Sequence, residues 1–352
     1  MINVLICGAG SIGNHLCFAC RNKGWKVDIF DIDPLALDRT RQEIYPTRYG
    51  KWDESINLIQ KIDWSKKYDV ILVGTPPDSH LELMTKLLSG FSPKVLLVEK
   101  PLCGPDMAGY KEFSRATAHM SCEILVGYNH NLTKNTVRVE ELINDGCVGN
   151  PLSVHVRWLE HWGGIFAAHP WLSGPEDSYL GQCKLGGGAC AEHSHAISLW
   201  QHFARCLGAG EVEEVIAHLD IVEGSGIHYD QSANLVLLAS SGLSGSVTQD
   251  VVTAPPVKMA RIQGDVGFIE WYASFEGGDD LVIYQTGGSG LQKEHFPRAR
   301  PDDFVGEIDH IGKLLEGETM PSPISLKHGA ETMKVVSSAH QANTLRKSVR
   351  IL

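Results

Sequence analysis

Three glycines near the start of the chain are spaced as in a tight turn between a strand and a helix. The segment Gly8-Ala9-Gly10-Ser11-Ile12-Gly13 fits the pattern G-x-G-x-x-G and follows an apolar run. In such a turn the first glycine permits the tight bend, the second lets backbone approach a pyrophosphate, and the third lets helix and sheet pack closely. The N–H groups at the start of the helix then bind phosphate oxygens. The spacing predicts a dinucleotide site that includes Gly8, Gly10, Ser11, Ile12 and Gly13.

An acidic residue follows the second apolar run. Asp31 comes directly after Phe30, at about the separation from Gly8 that the dinucleotide pattern requires. A carboxylate at this place accepts hydrogen bonds from both ribose hydroxyls of NAD. The next residue is Ile32 rather than an arginine, so no cation is placed for a 2′-phosphate, and NAD is favoured over NADP. The alternative is an ordinary surface aspartate at the end of a strand.

Two further segments follow buried strands and therefore fall at the carboxyl edge of a parallel sheet, where ligands bind in doubly wound folds. The first contains Thr75 and Pro76, although Pro77 and Ser79 alone would also suit the start of a helix. The second is Glu99-Lys100-Pro101. Pro101 keeps Lys100 out of helical geometry and so restricts where its amine points. A lysine in this place can act as acid or base, or it can be a surface residue.

The sixteen histidines and nine cysteines raise the question of a metal site. The segment Glu192-His193-Ser194-His195 is not H-E-x-x-H, and no C-x-x-C pair occurs. Cys183 and Cys190 near these histidines could form a site, but the sequence favours none, and we expect no metal.

The N-terminal part of the chain, up to Gly127, alternates short apolar runs with helical patterns. Continuous apolar strands between helices indicate a parallel sheet that is covered on both faces. The predicted strands are Asn3–Cys7, Lys26–Phe30, Ile56–Ile59, Val70–Val73, Val95–Val98 and Glu123–Val126. The predicted helices between them are Ser11–Lys23, Pro34–Glu43, Ser79–Ser89 and Asp106–His119.

After Gly127 the pattern changes to short strands and turns, which predicts a mainly antiparallel sheet. We therefore expect two domains, 1–127 and 128–352. An aromatic, glycine-rich loop at His161–Gly188 precedes a single expected helix at Ala191–Cys206. The predicted strands are Leu152–Trp158, Val212–Leu219, Ser232–Leu238, Ser244–Val252, Val257–Gln263, Gly267–Trp271 and Leu281–Gln285. The other predicted helices are Thr133–Asn144, Asp303–Leu315 and Leu326–Leu345.

Composition excludes several classes of protein. The chain has 352 residues, 43% of them hydrophobic and 21% charged, as in ordinary globular proteins. The formal net charge of −11, without a dense basic run, argues against nucleic-acid binding. No stretch is apolar enough to span a membrane, and the first residues lack the features of a signal peptide. Scattered cysteines in odd number indicate reduced thiols in a cytoplasmic protein.

The sequence resembles the Gfo/Idh/MocA family of oxidoreductases over essentially its whole length. The resemblance is carried by the glycine motif, by Thr75-Pro76 with His80, by Glu99-Lys100-Pro101, and by Gly186–Gly188 before a helix with a histidine. It implies an α/β protein with an N-terminal Rossmann doubly wound sheet and a C-terminal α+β domain with a large, open, mainly antiparallel sheet. The C-terminal helix could pack back on the Rossmann domain.

The resemblance also implies reversible NAD(P)-linked hydride transfer on a secondary alcohol or ketone of a sugar, sugar derivative or cyclitol. Lys100 would be the acid/base, with Thr75, Pro76, His80 and Glu99 beside the cofactor. His195 would hydrogen-bond the reacting oxygen, and Glu192 would orient Lys100 or His195. Candidate substrate-binding residues are Tyr128, Asn129, Trp162, Trp171 and Tyr179. The aromatic residues among them could equally serve core packing or a subunit contact.

The sequence departs from the family pattern around the histidine. The family's aspartate four residues before it is Ala191 here, and the acid is Glu192. The register therefore allows His193 instead of His195 to face the substrate. On one continuous helix the two rings would point about 200° apart.

Two alternatives to an ordinary dehydrogenase remain. One is a non-catalytic NAD-binding sensor of the same fold, which would have no reason to retain both Lys100 and His195. The other is an enzyme that keeps its NAD and oxidises and reduces the substrate within one turnover.

A homodimer or homotetramer is expected, because few helices remain to cover the second face of the second sheet. The apolar residues expected there are Val247, Val251, Val252, Val257, Met259 and Ile262.

Overall fold

The computed structural model describes residues 1–169, 171–224, 226–318 and 321–351, which form two compact units. The first unit comprises Met1–Cys103, Ala108–Asn129 and Pro301–Leu326. The second comprises Gly104–Met107, His130–Arg300 and Lys327–Leu352. The division of roles between domains 1–127 and 128–352 stays a prediction.

Strands and helices alternate between Met1 and Asn129. In chain order the elements are β1 (Asn3–Cys7), α1 (Ser11–Asn22), β2 (Lys26–Phe30), α2 (Pro34–Arg39), a π-helical turn (Thr40–Ile44), α3 (Tyr45–Tyr49), β3 (Ile56–Ile59), β4 (Val70–Val73), α4 (His80–Gly90), β5 (Val95–Val98), α5 (Tyr110–Thr117) and β6 (Glu123–Val126).

Strands predominate in the rest of the chain. The elements there are α6 (Lys134–Asn144), β7 (Pro151–Leu159), α7 (Gly163–Ala168), α8 (Gly188–Glu192), α9 (His195–Cys206), β8 (Val212–Gly224), β9 (Ile227–Ala239), β10 (Ser244–Asp250), β11 (Val257–Gly264), β12 (Gly267–Tyr272), β13 (Asp280–Thr286), β14 (Gln292–Phe296), α10 (Asp302–Leu315), α11 (Leu326–Leu345) and β15 (Val349–Arg350).

The first unit contains a parallel sheet of six strands among the described residues, in the order β3-β2-β1-β4-β5-β6. Every residue of β4 and β5 is buried, as expected for strands that are covered on both faces. The predicted Rossmann sheet is confirmed. Helix α10 also belongs to this unit and packs against α1 and β5. It buries Phe304, Ile308 and Ile311, which recur on one helical face.

The second unit contains a sheet of nine strands among the described residues, in the order β14-β13-β12-β11-β7-β10-β9-β8-β15. Only β7 and β10 pair in parallel among these described strands, so the predicted mainly antiparallel sheet is confirmed. On one face β7 buries Val154, Val156 and Trp158. Helix α9 packs there, and the indole of Trp200 donates a hydrogen bond to the carbonyl of Val154 (2.8 Å).

The other face of this sheet is more open, but some of the residues expected there are buried. Val247, Val251 and Ile262 are buried and so do not belong to an open face, because alternate residues of a strand point to opposite sides. Val252 and Val257 are exposed, as are Ile216, Val236 and Leu238 of β8 and β9.

Within the described part of the chain, no helix combines the length and the apolar character that crossing a membrane requires.

Candidate active site

The glycine motif forms the turn between β1 and α1. Gly8 has a φ of +109°, and a Cβ atom there would lie 2.7 Å from the carbonyl oxygen of Gly74. A Cβ atom on Gly13 would lie 2.0 Å from the carbonyl oxygen of Gly8. Beside Gly10, in contrast, no described atom lies within 4 Å of the position of a Cβ. The turn therefore leaves room for a pyrophosphate at the start of α1, and the residues present fit a dinucleotide.

Asp31 connects the end of β2 to this turn. Its Oδ2 accepts a hydrogen bond from the N–H of Ala9 (2.8 Å), and its Oδ1 accepts one from the N–H of Asp33 (2.9 Å). A carboxylate has about four acceptor positions, so capacity remains for ribose hydroxyls. The backbone thus orients the acid where the sequence predicts a ribose contact.

Sequence reasoning missed a cation beside the glycine turn. The Arg48 guanidinium, from α3, donates hydrogen bonds to the carbonyl oxygen and to Oγ of Ser11, at 2.9 and 2.8 Å. It brings positive charge to the start of α1, where a phosphate would lie. Arg48 comes from a segment whose pattern gave no clear signal, so nothing in the sequence points to it.

His80 joins the two other segments at the carboxyl edge of the first sheet. Its ring is fully buried, with Nε2 2.7 Å from the carbonyl oxygen of Thr75 and Nδ1 3.1 Å from that of Pro101. Burial lowers the pKa of His80 and outweighs the opposing effect of these carbonyls, so the ring is neutral and donates to one of them. The structure brings together Thr75, His80 and the segment containing Lys100.

Glu99 and Lys100 follow β5 directly. Glu99 is 7% exposed, and its carboxyl lies so close to Gly127 that a Cβ atom there would be 3.0 Å from Oε2. The same Oε2 accepts a hydrogen bond from the N–H of Lys100 (3.3 Å). The Lys100–Pro101 peptide bond is cis, and Lys100 itself is half-buried. The backbone N–H of the candidate acid/base, Lys100, is thus hydrogen-bonded to the buried carboxyl of Glu99.

The prediction of a single helix over Ala191–Cys206 is wrong. Helix α8 ends at Glu192, and α9 begins at His195. His193 and His195 therefore do not lie on one continuous helix. The expectation that such a helix would turn their rings to different sides no longer applies. The two rings nevertheless have different surroundings. His193 is buried, with Nε2 3.3 Å from the carbonyl oxygen of Glu160.

A buried acid, Asp230, is hydrogen-bonded to the first turn of α8. Asp230 Oδ2 accepts a hydrogen bond from the N–H of Cys190 (2.6 Å). Gly188 has a φ of +80°, and a Cβ atom there would lie 2.2 Å from Asp230 Oδ1, so a larger residue would displace the carboxyl. Burial raises the pKa of Asp230 to about 7. Sequence reasoning missed Asp230, which lies on a strand far along the chain.

His195 lies within a group of aromatic and charged residues that the sequence did not predict as one site. Its ring stacks on Trp158 (centroids 5.3 Å apart) and meets the ring of His130 at a steep angle (5.0 Å). Lys258 Nζ lies 5.1 Å from the centre of the Trp158 ring and 2.8 Å from Glu160 Oε2. The pairing of Lys258 with Trp158 in the β11–β7 register could not be read from either segment alone.

Lys258 and Glu160 are both partly buried. Burial lowers the pKa of Lys258, although Glu160 opposes this effect. Burial acts to raise the pKa of Glu160, but the charge and hydrogen bond of Lys258 lower it overall. A charged pair next to Trp158, on which His195 stacks, could supply charge to polar groups of a ligand.

The predicted aromatic residues occupy different environments. Trp162 is buried in a cluster with Leu180, Ala189 and Val251, against which Tyr179 packs. The phenol of Tyr179 also reaches Glu192, at 3.0 Å from Oε2. Trp171 is 39% exposed, and its ring meets His169 edge-on (5.1 Å).

Tyr128 and Asn129, at the end of the first unit, are both buried. The roles proposed for all of these residues stay predictions.

One group among the described residues has metal-ligating donors close together. Glu140, His202 and Cys206 bring these atoms within 4.8 Å of one another. His202 Nε2 lies 2.6 Å from Glu140 Oε1, so a hydrogen bond explains the contact. Cys183 Sγ is 3.0 Å from His228 Nδ1. The expectation of no metal stays a prediction.

Two family descriptions match the chain. "Oxidoreductase family, NAD-binding Rossmann fold" matches residues 2–128, and "GFO/IDH/MocA C-terminal domain" matches residues 136–270. No curated protein sequence matches the chain.

Solved structures share the fold over nearly the whole chain. Levoglucosan dehydrogenase in complex with NADH has a TM-score of 0.78 at 18% identity, covering 100% of this chain and 99% of that one. The WlbA dehydrogenase of Bordetella pertussis, with NADH and UDP-GlcNAcA, gives 0.72 at 17% identity, with coverage of 100% and 99%. An oxidoreductase of Agrobacterium radiobacter, with NAD+, L-tartaric acid and magnesium, gives 0.76 at 17% identity, with coverage of 99% and 98%. At these identities the likeness shows the fold alone.

Proposed function

This chain belongs to the GFO/IDH/MocA family of oxidoreductases, and from that premise we propose that it transfers a hydride between NAD and a secondary alcohol or ketone of a sugar, sugar derivative or cyclitol. The observation that carries the proposal is the convergence of Thr75, His80 and the Lys100 segment at the carboxyl edge of a sheet whose glycine turn fits a dinucleotide. Solved structures of this fold include levoglucosan dehydrogenase in complex with NADH and levoglucosan, which supports the substrate class.

The cofactor is proposed to bind along the first sheet. N–H groups at Gly10 and Ser11 and the Arg48 guanidinium would hold the pyrophosphate, while Asp31 would accept hydrogen bonds from the adenosine ribose. Thr75 and Glu99 lie at the ends of the next two strands and would line the nicotinamide side. A bound nicotinamide supplies the hydride acceptor or donor.

Lys100 is proposed to take the hydroxyl proton when the substrate is oxidised and to return it when the substrate is reduced. Lys100 follows a fully buried strand and is itself half-buried, which restricts the orientation of its side chain. His195, at the first residue of α9, is proposed to hydrogen-bond the reacting oxygen. Stacking on Trp158 would hold its ring in place.

Glu192 is proposed to act on His195 rather than on Lys100, because it belongs to the same unit as His195 and precedes it by three residues. Trp162, Trp171 and Tyr179 stay candidates for substrate contact. Tyr179 has the best support, because its phenol bonds to Glu192. Tyr128 and Asn129 are proposed to act from the first unit.

A homodimer or homotetramer is also proposed, with the exposed face of the second sheet as the contact. Ile216 and Val236 are neighbours in the β8–β9 register, and both are about half exposed. Apolar side chains exposed on a sheet face favour burial against a partner. Light scattering that gives a mass near the 38.6 kDa of one chain would contradict this proposal. The nine free cysteines support a cytoplasmic location.

The function is tested by a screen for NADH formation over a library of sugars, sugar acids and cyclitols, with Lys100→Met run in parallel. We expect at least one substrate to give NADH with the wild-type protein and far less with the variant. NAD binding without turnover of any compound would favour the non-catalytic sensor. NAD that remains bound through purification would favour an enzyme that recycles its cofactor.

A further inference from the structure

Two helices of the second unit place a carboxylate, an imidazole and a thiol side by side. Glu140 belongs to α6, and His202 and Cys206 belong to α9. One ligating atom of each residue lies within 4.8 Å of those of the other two. His202 Nε2 is 2.6 Å from Glu140 Oε1 and 3.9 Å from Cys206 Sγ. Oxygen, nitrogen and sulfur donors of these three kinds are the usual ligands of Zn²⁺ in proteins.

The spacing of His202 and Cys206 along α9 brings their side chains to the same face of the helix. Residues four apart on a helix lie one above the other. This pair therefore supplies two donors from one helix, and Glu140 supplies a third donor from a second helix. Glu140 lies 62 residues from His202 in the chain. The linear motifs on which the expectation of no metal rests could not reveal a group assembled in this way.

The end of α9 also favours a positive ion. Cys206 is the last residue of this helix, and His202 lies about one turn before it. The carbonyl groups at a helix C-terminus carry partial negative charge, which stabilises a cation there. The adjacent basic residue, Arg205, is paired with Glu331 on α11 (3.3 Å). The local field therefore supports the binding of a cation by the three donors.

The three donors lie near the surface without being fully solvated. The side chain of Glu140 is 31% exposed and that of His202 is 7% exposed, so an ion can enter past the carboxylate. Burial raises the pKa of the Cys206 thiol to about 12, and the charge of Glu140 raises it further. Without a cation this thiol is neutral. A bound Zn²⁺ takes the place of the S–H proton, which leaves to solvent.

We propose that Glu140, His202 and Cys206 bind a Zn²⁺ ion that joins α6 to α9, with a water molecule as the fourth ligand. Neighbouring donors in a tetrahedral zinc site are about 3.3–3.6 Å apart, so shifts of about 1 Å would adapt the three side chains. The neutral ring of His202 then carries its proton on Nδ1.

The proposed ion has a structural role. The site lies about two helical turns, or about 10 Å, from His195 at the start of α9. The ion would therefore stabilise the pairing of the two helices and take no part in hydride transfer. The proposal does not depend on the proposed function.

Cobalt spectroscopy of the full-length, metal-free protein without an affinity tag tests the site. Co²⁺ can replace Zn²⁺, and a thiolate ligand then gives an intense band in the near ultraviolet. We expect one Co²⁺ per chain with this band, displacement of the Co²⁺ by Zn²⁺, and loss of the band in Cys206→Ser. Cys183→Ser is the matched control, because Cys183 Sγ also lies beside a histidine, 3.0 Å from His228 Nδ1. Absence of the band from the wild-type protein, or its loss in Cys183→Ser with retention in Cys206→Ser, would overturn the proposal.

Competition with a chromophoric chelator measures the affinity of each variant for Zn²⁺. His202→Gln and Glu140→Gln should each weaken binding by on the order of 10²-fold, because even the loss of a group that supports a ligand costs about tenfold to a hundredfold. Glu141→Gln, which changes the next and more exposed residue of α6, should leave the affinity unchanged. Zn²⁺ should also raise the thermal unfolding midpoint of the wild-type protein more than that of His202→Gln. Equal affinities for Zn²⁺ in His202→Gln and the wild-type protein would contradict the assigned ligands.

Discussion

The phenol of Tyr179 donates a hydrogen bond to Oε2 of Glu192 over 3.0 Å. Tyr179 packs against the hydrophobic cluster around Trp162, and Glu192 is the last residue of α8. The bond therefore connects the aromatic loop to the helix that ends just before His195. It also orients an acid that the sequence alone could not place.

Tyr179→Phe should lower turnover by about tenfold and stability by about 1 kcal/mol, because it removes one hydrogen bond from a buried carboxylate. Steady-state rates on a substrate found in the screen, together with urea unfolding, measure both effects. Tyr229→Phe is the matched control, since Tyr229 packs against the same cluster. Unchanged turnover in Tyr179→Phe would mean that Glu192 needs no orientation from the phenol.

His195→Ala should lower turnover by on the order of 10²-fold, as expected for loss of a group that hydrogen-bonds the reacting oxygen. His193→Ala should leave turnover nearly unchanged and cost about 1 kcal/mol of stability, because the ring is buried beside the Glu160 carbonyl. The comparison uses the kcat of both variants on the same substrate. If His193→Ala were the inactive variant, the assignment of His195 would be wrong.

Asp230 should make stability depend on pH. Its pKa is about 7 in the folded protein and about 4 in an unfolded chain, so the folded state holds a proton that the unfolded state has lost between these values. The contribution of Asp230 to the free energy of unfolding should therefore be greatest below pH 4, decrease as the pH rises, and level off above pH 7. The full loss would be about 4 kcal/mol.

Asp230→Asn should remove this dependence and make the protein more stable than wild type at pH 8, as measured by urea unfolding across the pH range. The exposed Asp220→Asn is the control and should change neither slope nor level. A wild-type slope between pH 4 and 7 that persists in Asp230→Asn would assign the titration to another group.

NAD(H) should bind more tightly than NADP(H) by about tenfold to a hundredfold, because Asp31 would repel a 2′-phosphate. Fluorescence titration of both cofactors at equal ionic strength gives the ratio. Asp31→Ala should bring the ratio of the two affinities closer to one. Equal affinities in the wild-type protein would show that the carboxylate does not decide the preference.

Most of the first sheet could be predicted from the sequence, because its strands are continuous apolar runs and the glycine turn has a fixed spacing. Six predicted strands appear with the expected bounds. The segment containing Arg48 was harder to predict, since α2, a π-helical turn and α3 follow one another without a regular apolar period.

The second unit was less predictable, because its contacts join residues far apart in the chain. Asp230 lies 40 residues from Cys190, and Lys258 meets Trp158 only through the pairing of β11 with β7. The break between Glu192 and His195 could not be foreseen, because the residues from Ala191 to Cys206 have an unbroken helical pattern. The short strands β14 and β15 were also missed, since none of their residues is buried.

The central claim is that Lys100 performs proton transfer in a hydride-transfer reaction, and single-turnover NADH formation by Lys100→Met tests it most directly. Lys94→Met, an exposed lysine just before the same strand, is the control. We predict that the Lys100 variant binds NAD within about twofold of wild type and forms NADH about 10²–10⁴ times more slowly, the range for loss of a general acid or base. Near-normal NADH formation by Lys100→Met would contradict the account.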